Sequence, residues 1–150
     1  VLDIGLDILY NSNCKEDNFM KDFNFSEMTQ TISNYDLIAY NYQMFAPGGI
    51  DEKKVEALAE DMKKNGFTSV ILLANLDGWY LVTGTHRYLA AKKLDEEDIE
   101  VEIKYVDVTD AIEDYCERED VTIEFVPLDH LRKVFEGTKY EEFARECVEW

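Results

Sequence analysis

The sequence predicts a single α+β domain, with helices on a small mixed sheet and a helical C-terminal extension. The chain has 150 residues, the size of one ordinary domain with a core of its own. Hydrophobic residues make up 46% of it, which is too many for an intrinsically disordered chain. Strand-like runs alternate with helical periodicity in the middle of the chain, and helical patterns dominate after residue 107.

The charge balance is strongly acidic. Asp and Glu number 33 against 15 Lys and Arg, which gives a formal net charge of −18. Such a field repels a phosphate backbone, so we expect no direct binding to DNA. The same field favours a basic protein as a partner, and any nucleotide site must be a local positive pocket.

The cellular location is inferred from two features. No apolar run reaches the ~20 residues that a membrane span requires, so no membrane association is expected. The cysteines Cys14, Cys116 and Cys147 are odd in number and are not spaced as metal ligands. We interpret them as reduced thiols of a cytoplasmic protein.

The segment 1–34 is interpreted as a cap on the core, or alternatively as an arm over a neighbouring pocket. Its apolar positions within 11–34 predict one or two short helices. Tyr35–Tyr42 is dense in aromatic and branched residues and predicts the first strand of the core, which is placed at about 35–106. Pro47-Gly48-Gly49 then predicts a loop.

A helix is predicted over Asp51–Asn65. Asp51 is a good N-cap residue, and Gly66 provides the stop signal. Apolar residues recur at the spacing of one helix face. They are Val55, Leu58, Ala59 and Met62.

A hairpin and a second helix follow. Val70–Ala74 and Trp79–Val82 flank the turn signal Asp77-Gly78. The chain then breaks at Gly84, and a helix over Thr85–Leu94 and a strand over Val101–Val106 are predicted. The acidic run at 95–98 is interpreted as a solvated loop rather than a magnesium site, because consecutive loop carboxylates rarely converge. No metal site is predicted.

The extension, residues 107–150, is predicted to be mainly helical. Thr109-Asp110 is expected to cap a helix that runs to about Arg118. Val121–Val126 fits either a strand or an extended connector, and Leu128–Phe135 fits a short helix. Thr138-Lys139-Tyr140-Glu141 has the form of a capping box. The last helix then has the apolar stripe Tyr140, Phe143, Ala144 and Cys147.

Gly84-Thr85-His86-Arg87 is the strongest candidate for a functional site. A strand that turns on glycine into a helix leaves the first N–H groups of that helix without intrahelical partners. Those donors, the positive end of the helix dipole and an arginine together suit an anion, most often a phosphate. The alternative is that Thr85 is only an N-cap, with His86 and Arg87 on a solvated first turn.

Residues 50–106 carry an ordered set of motifs. Asp51-Glu52-Lys53-Lys54-Val55-Glu56-Ala57-Leu58 opens a helix, the hairpin over Val70–Val82 follows, Gly84-Thr85-His86-Arg87 opens a second helix, and Val101–Val106 closes the set. This set resembles the ParB/sulfiredoxin superfamily, and in particular the ParB N-terminal-like nucleotide-binding domain. The resemblance implies an α+β nucleotide-binding fold. Its members include ATP-dependent sulfiredoxins, CTP-hydrolysing ParB clamps and an ADP-dependent serine kinase.

The resemblance also implies roles for individual residues. His86 and Arg87 match sulfiredoxin positions that contact nucleotide phosphates, and Lys54 matches the phosphate-contacting lysine of the first helix. Together with Gly84 and Thr85 they form the predicted binding site. Arg87 would make a bidentate contact, Lys54 would be a mobile point charge, and His86 would donate from either ring nitrogen. The implied ligand is ATP, ADP or CTP with Mg²⁺.

Two departures from the family patterns limit what the resemblance implies. Sulfiredoxins carry a reactive cysteine at the position of Thr85, and a hydroxyl cannot replace a thiolate in that chemistry. A sulfiredoxin-type reductase is therefore not expected. ParB proteins carry Gly-Glu-Arg-Arg at 84–87 and an arginine before the first helix, where this chain has Met44-Phe45-Ala46-Pro47. A ParB-type sliding clamp on DNA is therefore not the favoured hypothesis.

Two functional hypotheses follow. The first is a phosphotransferase or NTPase that holds nucleotide phosphates at the Gly-Thr-His-Arg helix N-terminus. Its base is not identified, and Asp36, Asp51 and Glu52 are candidates because the strand ends that face the pocket are expected near them. The second is a non-catalytic acidic regulatory or protein-binding module, such as a nucleic-acid mimic or a plasmid- or phage-type ParB-like protein.

Overall fold

The computed structural model describes residues 28–44, 49–67, 69–123, 126 and 133–146. The described strands are β1 (Gln30–Ser33), β2 (Tyr42–Met44), β3 (Ile71–Asn75), β4 (Trp79–Thr83) and β5 (Glu102–Asp107). The described helices are α1 (Asn34–Ile38), α2 (Glu52–Asn65), α3 (Thr85–Glu96), α4 (Thr109–Glu119) and α5 (Glu141–Glu146).

The described strands form one mixed sheet in the order β1-β5-β3-β4-β2. β3 and β4 pair antiparallel, as the predicted hairpin requires. β5 runs parallel to β3, β2 runs parallel to β4, and β1 runs antiparallel to β5. The predicted α+β class with a small mixed sheet and a helical C-terminal extension is confirmed.

Both faces of the sheet are buried, because side chains alternate along each strand. One face packs against α1 and α3 through Ile71, Leu73, Leu81 and Ile103 together with Leu37, Tyr88 and Ala91. The other face packs against α4 and the C-terminal residues through Leu72, Ala74, Tyr80, Val82 and Val106 together with Ile112, Phe135 and Phe143. Helix α2 packs on α3, so α3 lies between α2 and the sheet.

The prediction of a strand over Tyr35–Tyr42 is wrong, because α1 and β2 share this segment. Ser33 caps α1, since its hydroxyl accepts the N–H of Asp36 at 3.1 Å. Leu37 is fully buried on the helix face that meets the sheet. A capping serine three residues before Asp36 is a helix-start signal, and here it outweighs the strand propensity of the aromatic residues.

Asn34 fixes the start of α1 from inside the core. Its side chain is fully buried and donates to the carbonyls of Ala91 and Ile99, at 3.2 and 2.9 Å. Its carbonyl oxygen accepts the N–H of Val101 at 3.0 Å. All three bonds hold the first residue of α1 in a helical start rather than in a strand.

The prediction of short helices within 11–34 is wrong at Gln30–Ser33, which pairs with β5 as a strand. The rest of that prediction, at 11–27, lies outside the described residues. So do Cys14, Pro47, Gly48, the residues 124–125, most of Leu128–Phe135 and Cys147.

The helices predicted over Asp51–Asn65, over Thr85–Leu94 and from Thr109 to about Arg118 are confirmed. Asp51 caps α2, and Gly66 ends it at a φ of 79°. The N-cap of α4 is Val108 rather than Thr109 or Asp110. None of the described helices is long and apolar enough to cross a membrane.

In the turn before α5, the side chains of Thr138 and Glu141 both accept main-chain N–H groups, as in a capping box. The N–H groups that they accept are not the ones that a capping box over 138–141 would use. The hydroxyl of Thr138 accepts the N–H of Tyr140 at 3.2 Å. The carboxylate of Glu141 accepts the N–H of Gly137 at 3.0 Å. The helix therefore begins at Glu141 rather than directly after Thr138.

Candidate functional site

Helices α2 and α3 lie side by side and point the same way. At their first turns, the N–H of Asp51 meets His86. Along their length, Val55, Ala59 and Met62 of α2 pack with Ala90 and Leu94 of α3. At the opposite end, Nζ of Lys63 in the last turn of α2 lies 3.6 Å from Oε1 of Glu97, which directly follows α3. The N-termini of the two helices therefore meet, and the positive ends of both dipoles lie together.

Asp51 binds the first turn of each helix. Its Oδ1 accepts the N–H groups of Lys53 and Lys54, at 3.1 and 3.3 Å, and so caps α2. Its own main-chain N–H donates to Nε2 of His86 at 3.0 Å. Because Nε2 accepts this bond, the neutral ring carries its proton on Nδ1, and only Nδ1 remains as a donor toward a ligand.

A β-bulge precedes the turn into α3. Leu72 pairs with Thr83 and Leu73 pairs with Leu81, which leaves Val82 as an extra residue in β4. Bulges bend a strand and redirect the residues that follow it. The bulge therefore sets the direction in which the chain enters the turn at Gly84.

Gly84 is required at that turn for two reasons. Its φ of 91° lies in the left-handed region, which favours glycine. A Cβ at this position would also lie 2.5 Å from Cγ2 of Ile71. At the predicted glycine turn, the start of α3 therefore lies very close to the start of β3.

The N-cap of α3 is Gly84, so the alternative in which Thr85 is the N-cap is wrong. Thr85 is the first helical residue and is 5% exposed. Glycine has no side chain, and no side chain caps α3 at this residue. The two helix starts therefore differ in their N-cap residues, since the carboxylate of Asp51 caps α2 and a glycine is the N-cap of α3.

The charged residues of the predicted site lie on these first turns. Lys54, His86 and Arg87 are each partly buried, so these side chains are not fully exposed to solvent. Glu52 is exposed at the start of α2. The structure thus brings together seven of the eight predicted site residues: Asp51, Glu52, Lys54, Gly84, Thr85, His86 and Arg87.

Asp36 is not grouped with them. It is exposed in the first turn of α1. Its neighbours in that turn contact the second half of α3 and the turn after it, since Asn34 donates to the carbonyl of Ala91 and the Tyr35 hydroxyl donates to Asp98 at 3.1 Å. The helix start that carries His86 lies at the opposite end of α3.

An aromatic cluster that the sequence did not predict joins the edge strand β2 to α3. The ring centroids are 5.5 Å apart for Tyr40 and Trp79, 5.8 Å for Tyr42 and Trp79, and 5.4 Å for Tyr42 and Tyr88. Burial, reinforced by neighbouring tyrosines, raises the pKa of Tyr42, and burial raises the pKa of Tyr88. The only advance signal was the density of aromatic residues in 35–42 and at Trp79-Tyr80.

Within the described part of the chain, no group of three or more His, Cys, Asp or Glu side chains is arranged to hold a metal ion. Cys116 is a free, partly buried thiol, and burial raises its pKa. It lies on α4, outside the first turns of α2 and α3.

The comparison with protein families decides the classification. The model of the ParB N-terminal domain matches residues 18–118, well over half of the chain. The chain belongs to the ParB N-terminal domain family. The matched region contains the sheet, α2, α3 and nearly all of α4, so the joined helix starts lie inside it. A comparison with curated proteins found no match.

Proposed function

We propose that this ParB-like domain binds the phosphate groups of a nucleotide where the N-termini of α2 and α3 meet, and transfers or hydrolyses a phosphoryl group. The observation that carries the proposal is the parallel packing of the two helices, with their first turns joined by the bond from Asp51 to His86 at 3.0 Å. Two positive dipole ends at one place attract an anion even within an acidic chain.

The residues at this place fit a phosphate. Lys54 and Arg87 carry positive charge on the two first turns, where an anion would be held.

The N-caps of α2 and α3 indicate which helix start would hold the phosphate. The carboxylate of Asp51 already occupies the N–H groups at the start of α2. Gly84 has no side chain that would crowd an anion at the start of α3, so the phosphate is assigned to that helix start, with Lys54 reaching across from α2. Mg²⁺ would arrive with the nucleotide, which itself supplies the phosphoryl group. Asp51 serves as a cap in this scheme, and Glu52 remains the candidate base.

Thermal unfolding with a panel of ATP, ADP, CTP and GTP, each with Mg²⁺, tests the proposal. Binding to the folded state alone stabilises it by roughly 2.7 kcal/mol at a ligand concentration of a hundred times Kd. We therefore expect at least one nucleotide to raise the melting temperature in a concentration-dependent way.

A matched pair of lysine variants controls for charge. Lys54→Ala should reduce the nucleotide-dependent shift, whereas Lys64→Ala, which removes the same charge from the exposed last turn of the same helix, should leave it unchanged. A flat panel with the parent chain would reject nucleotide binding. It would favour the acidic module, whose exposed face on α4 includes Glu113, Asp114 and Glu117.

A further inference from the structure

The hydrogen bonds around Asp51 form a continuous connection between the two helices. Nε2 of His86 accepts the N–H of Asp51 at 3.0 Å, and Oδ1 of Asp51 accepts the N–H groups of Lys53 and Lys54. His86 and Arg87 are neighbours in the first turn of α3. The connection therefore runs from the turn that holds Arg87 to the turn that holds Lys54.

We infer that His86 is a positioning residue, which sets the spacing of Lys54 and Arg87 by accepting the N–H of Asp51 through Nε2. In this role its contribution to binding does not depend on a contact with the ligand. The part that concerns ligand affinity rests on the proposed function, whereas the part that concerns the hydrogen bond does not.

The shapes of glutamine and asparagine allow a direct test. The side-chain amide of glutamine can place an acceptor where Nε2 lies, and the shorter amide of asparagine can place one only near the position of Nδ1. A positioning role through Nε2 therefore predicts that His86→Gln behaves like the parent chain. It predicts that His86→Asn behaves like His86→Ala.

Amide hydrogen exchange at Asp51 in the free chain is the first measurement. Losing a hydrogen bond of ordinary strength should speed exchange at this amide roughly three- to tenfold in His86→Ala and His86→Asn, but not in His86→Gln. In the parent chain, a scalar coupling between ¹⁵N of Asp51 and ¹⁵Nε2 of His86 should be present. The inference would be overturned if the Asp51 amide exchanged at the same rate in the parent and the three His86 variants. It would also be overturned if Nε2 of His86 carried the proton in the parent.

Nucleotide titration of the same four chains is the second measurement. We expect His86→Gln to keep the affinity of the parent, and the other two variants to lose roughly three- to tenfold. If His86→Asn keeps the affinity and His86→Gln loses it, the ring acts through Nδ1 on the ligand and the inference is wrong. If no chain binds nucleotide, the proposed function fails, and the exchange experiment still decides the role of His86.

Discussion

The main-chain N–H of Asp51 donates to Nε2 of His86 at 3.0 Å, although the two residues are 35 positions apart in the chain. This bond joins the start of the helix that follows β2 to the start of the helix that follows the hairpin. Neither helix presents the site alone, because the charged residues divide between them. The candidate site therefore depends on the docking of α2 on α3.

Arg87→Ala should weaken nucleotide binding without unfolding the chain. Removal of a charge-assisted contact in a partly buried site should cost about 2–3 kcal/mol, roughly thirty- to hundredfold in affinity. Calorimetric titration measures the affinity, and a thermal melt checks the fold. Arg118→Ala is the matched control, because this arginine lies on α4 in an exposed pair with Asp114. Equal affinities in the parent and Arg87→Ala would refute the role of Arg87.

Gly84→Ala should destabilise the fold by about 2–4 kcal/mol, since the new Cβ meets Ile71 and the left-handed backbone strains alanine. Two other glycines separate these causes. Nothing lies within 4 Å of a Cβ added at Gly66 or Gly78, so neither substitution creates a close contact. Gly66→Ala strains the backbone because Gly66 has a positive φ, whereas Gly78 does not. Denaturant unfolding should show the largest loss of unfolding free energy for Gly84→Ala, a smaller loss for Gly66→Ala and the smallest for Gly78→Ala. A loss at Gly84 no larger than that at Gly66 would show that the contact with Ile71 is unimportant.

Asn34→Ala should lower the free energy of unfolding by about 2–4 kcal/mol. It removes three hydrogen bonds and leaves the carbonyls of Ala91 and Ile99 and the N–H of Val101 without that partner. Asn41→Ala, at an exposed position, is the control and should be within about 0.5 kcal/mol of the parent. A similar small effect for Asn34→Ala would mean that water replaces these bonds at little cost.

Stability should fall at alkaline pH because of two tyrosines, the partly buried Tyr42 and the buried Tyr140. The pKa of Tyr42 is raised by burial, and the pKa of Tyr140 is raised by burial and then by the Asp110 carboxylate. Their stabilising effect is complete below the ordinary tyrosine pKa of 10.0. It is lost as the pH rises above that value, because the unfolded chain then ionises first. Denaturant unfolding at several pH values tests this, and Tyr42→Phe should flatten the decline. The range from about pH 9 to about pH 11 brackets the ordinary tyrosine pKa by roughly one unit on each side. A free energy of unfolding that stays constant over this range would contradict the prediction.

The helices and the hairpin could be predicted because their signals are local. Asp51, Gly66 and the stripe that includes Val55 define α2 within one short segment. The strand predicted at Tyr35–Tyr42 was wrong because its composition favours a strand, while the deciding bonds of Asn34 come from residues near 100. No local pattern contains that information.

The residues that lie together at the two helix starts could be predicted from the sequence, whereas their hydrogen bonds could not. Glycine at the end of a strand and the following Arg87 indicated a phosphate site from the sequence alone. Thr85 looked like the N-cap because threonine favours that position, but the left-handed backbone of Gly84 takes it. The bond between Asp51 and His86 depends on how α2 docks on α3, which the sequence spacing does not reveal.

A nucleotide titration of the ¹⁵N-labelled chain, followed by amide chemical shifts, tests the phosphate site most directly. We predict that ATP or CTP with Mg²⁺ shifts the amides of Thr85, His86 and Arg87 most strongly, with smaller shifts at Lys53 and Lys54. Inorganic tripolyphosphate should move the same amides, because the phosphates carry the interaction. Shifts centred elsewhere in the chain, or none at saturating nucleotide, would contradict a phosphate site at the joined starts of α2 and α3.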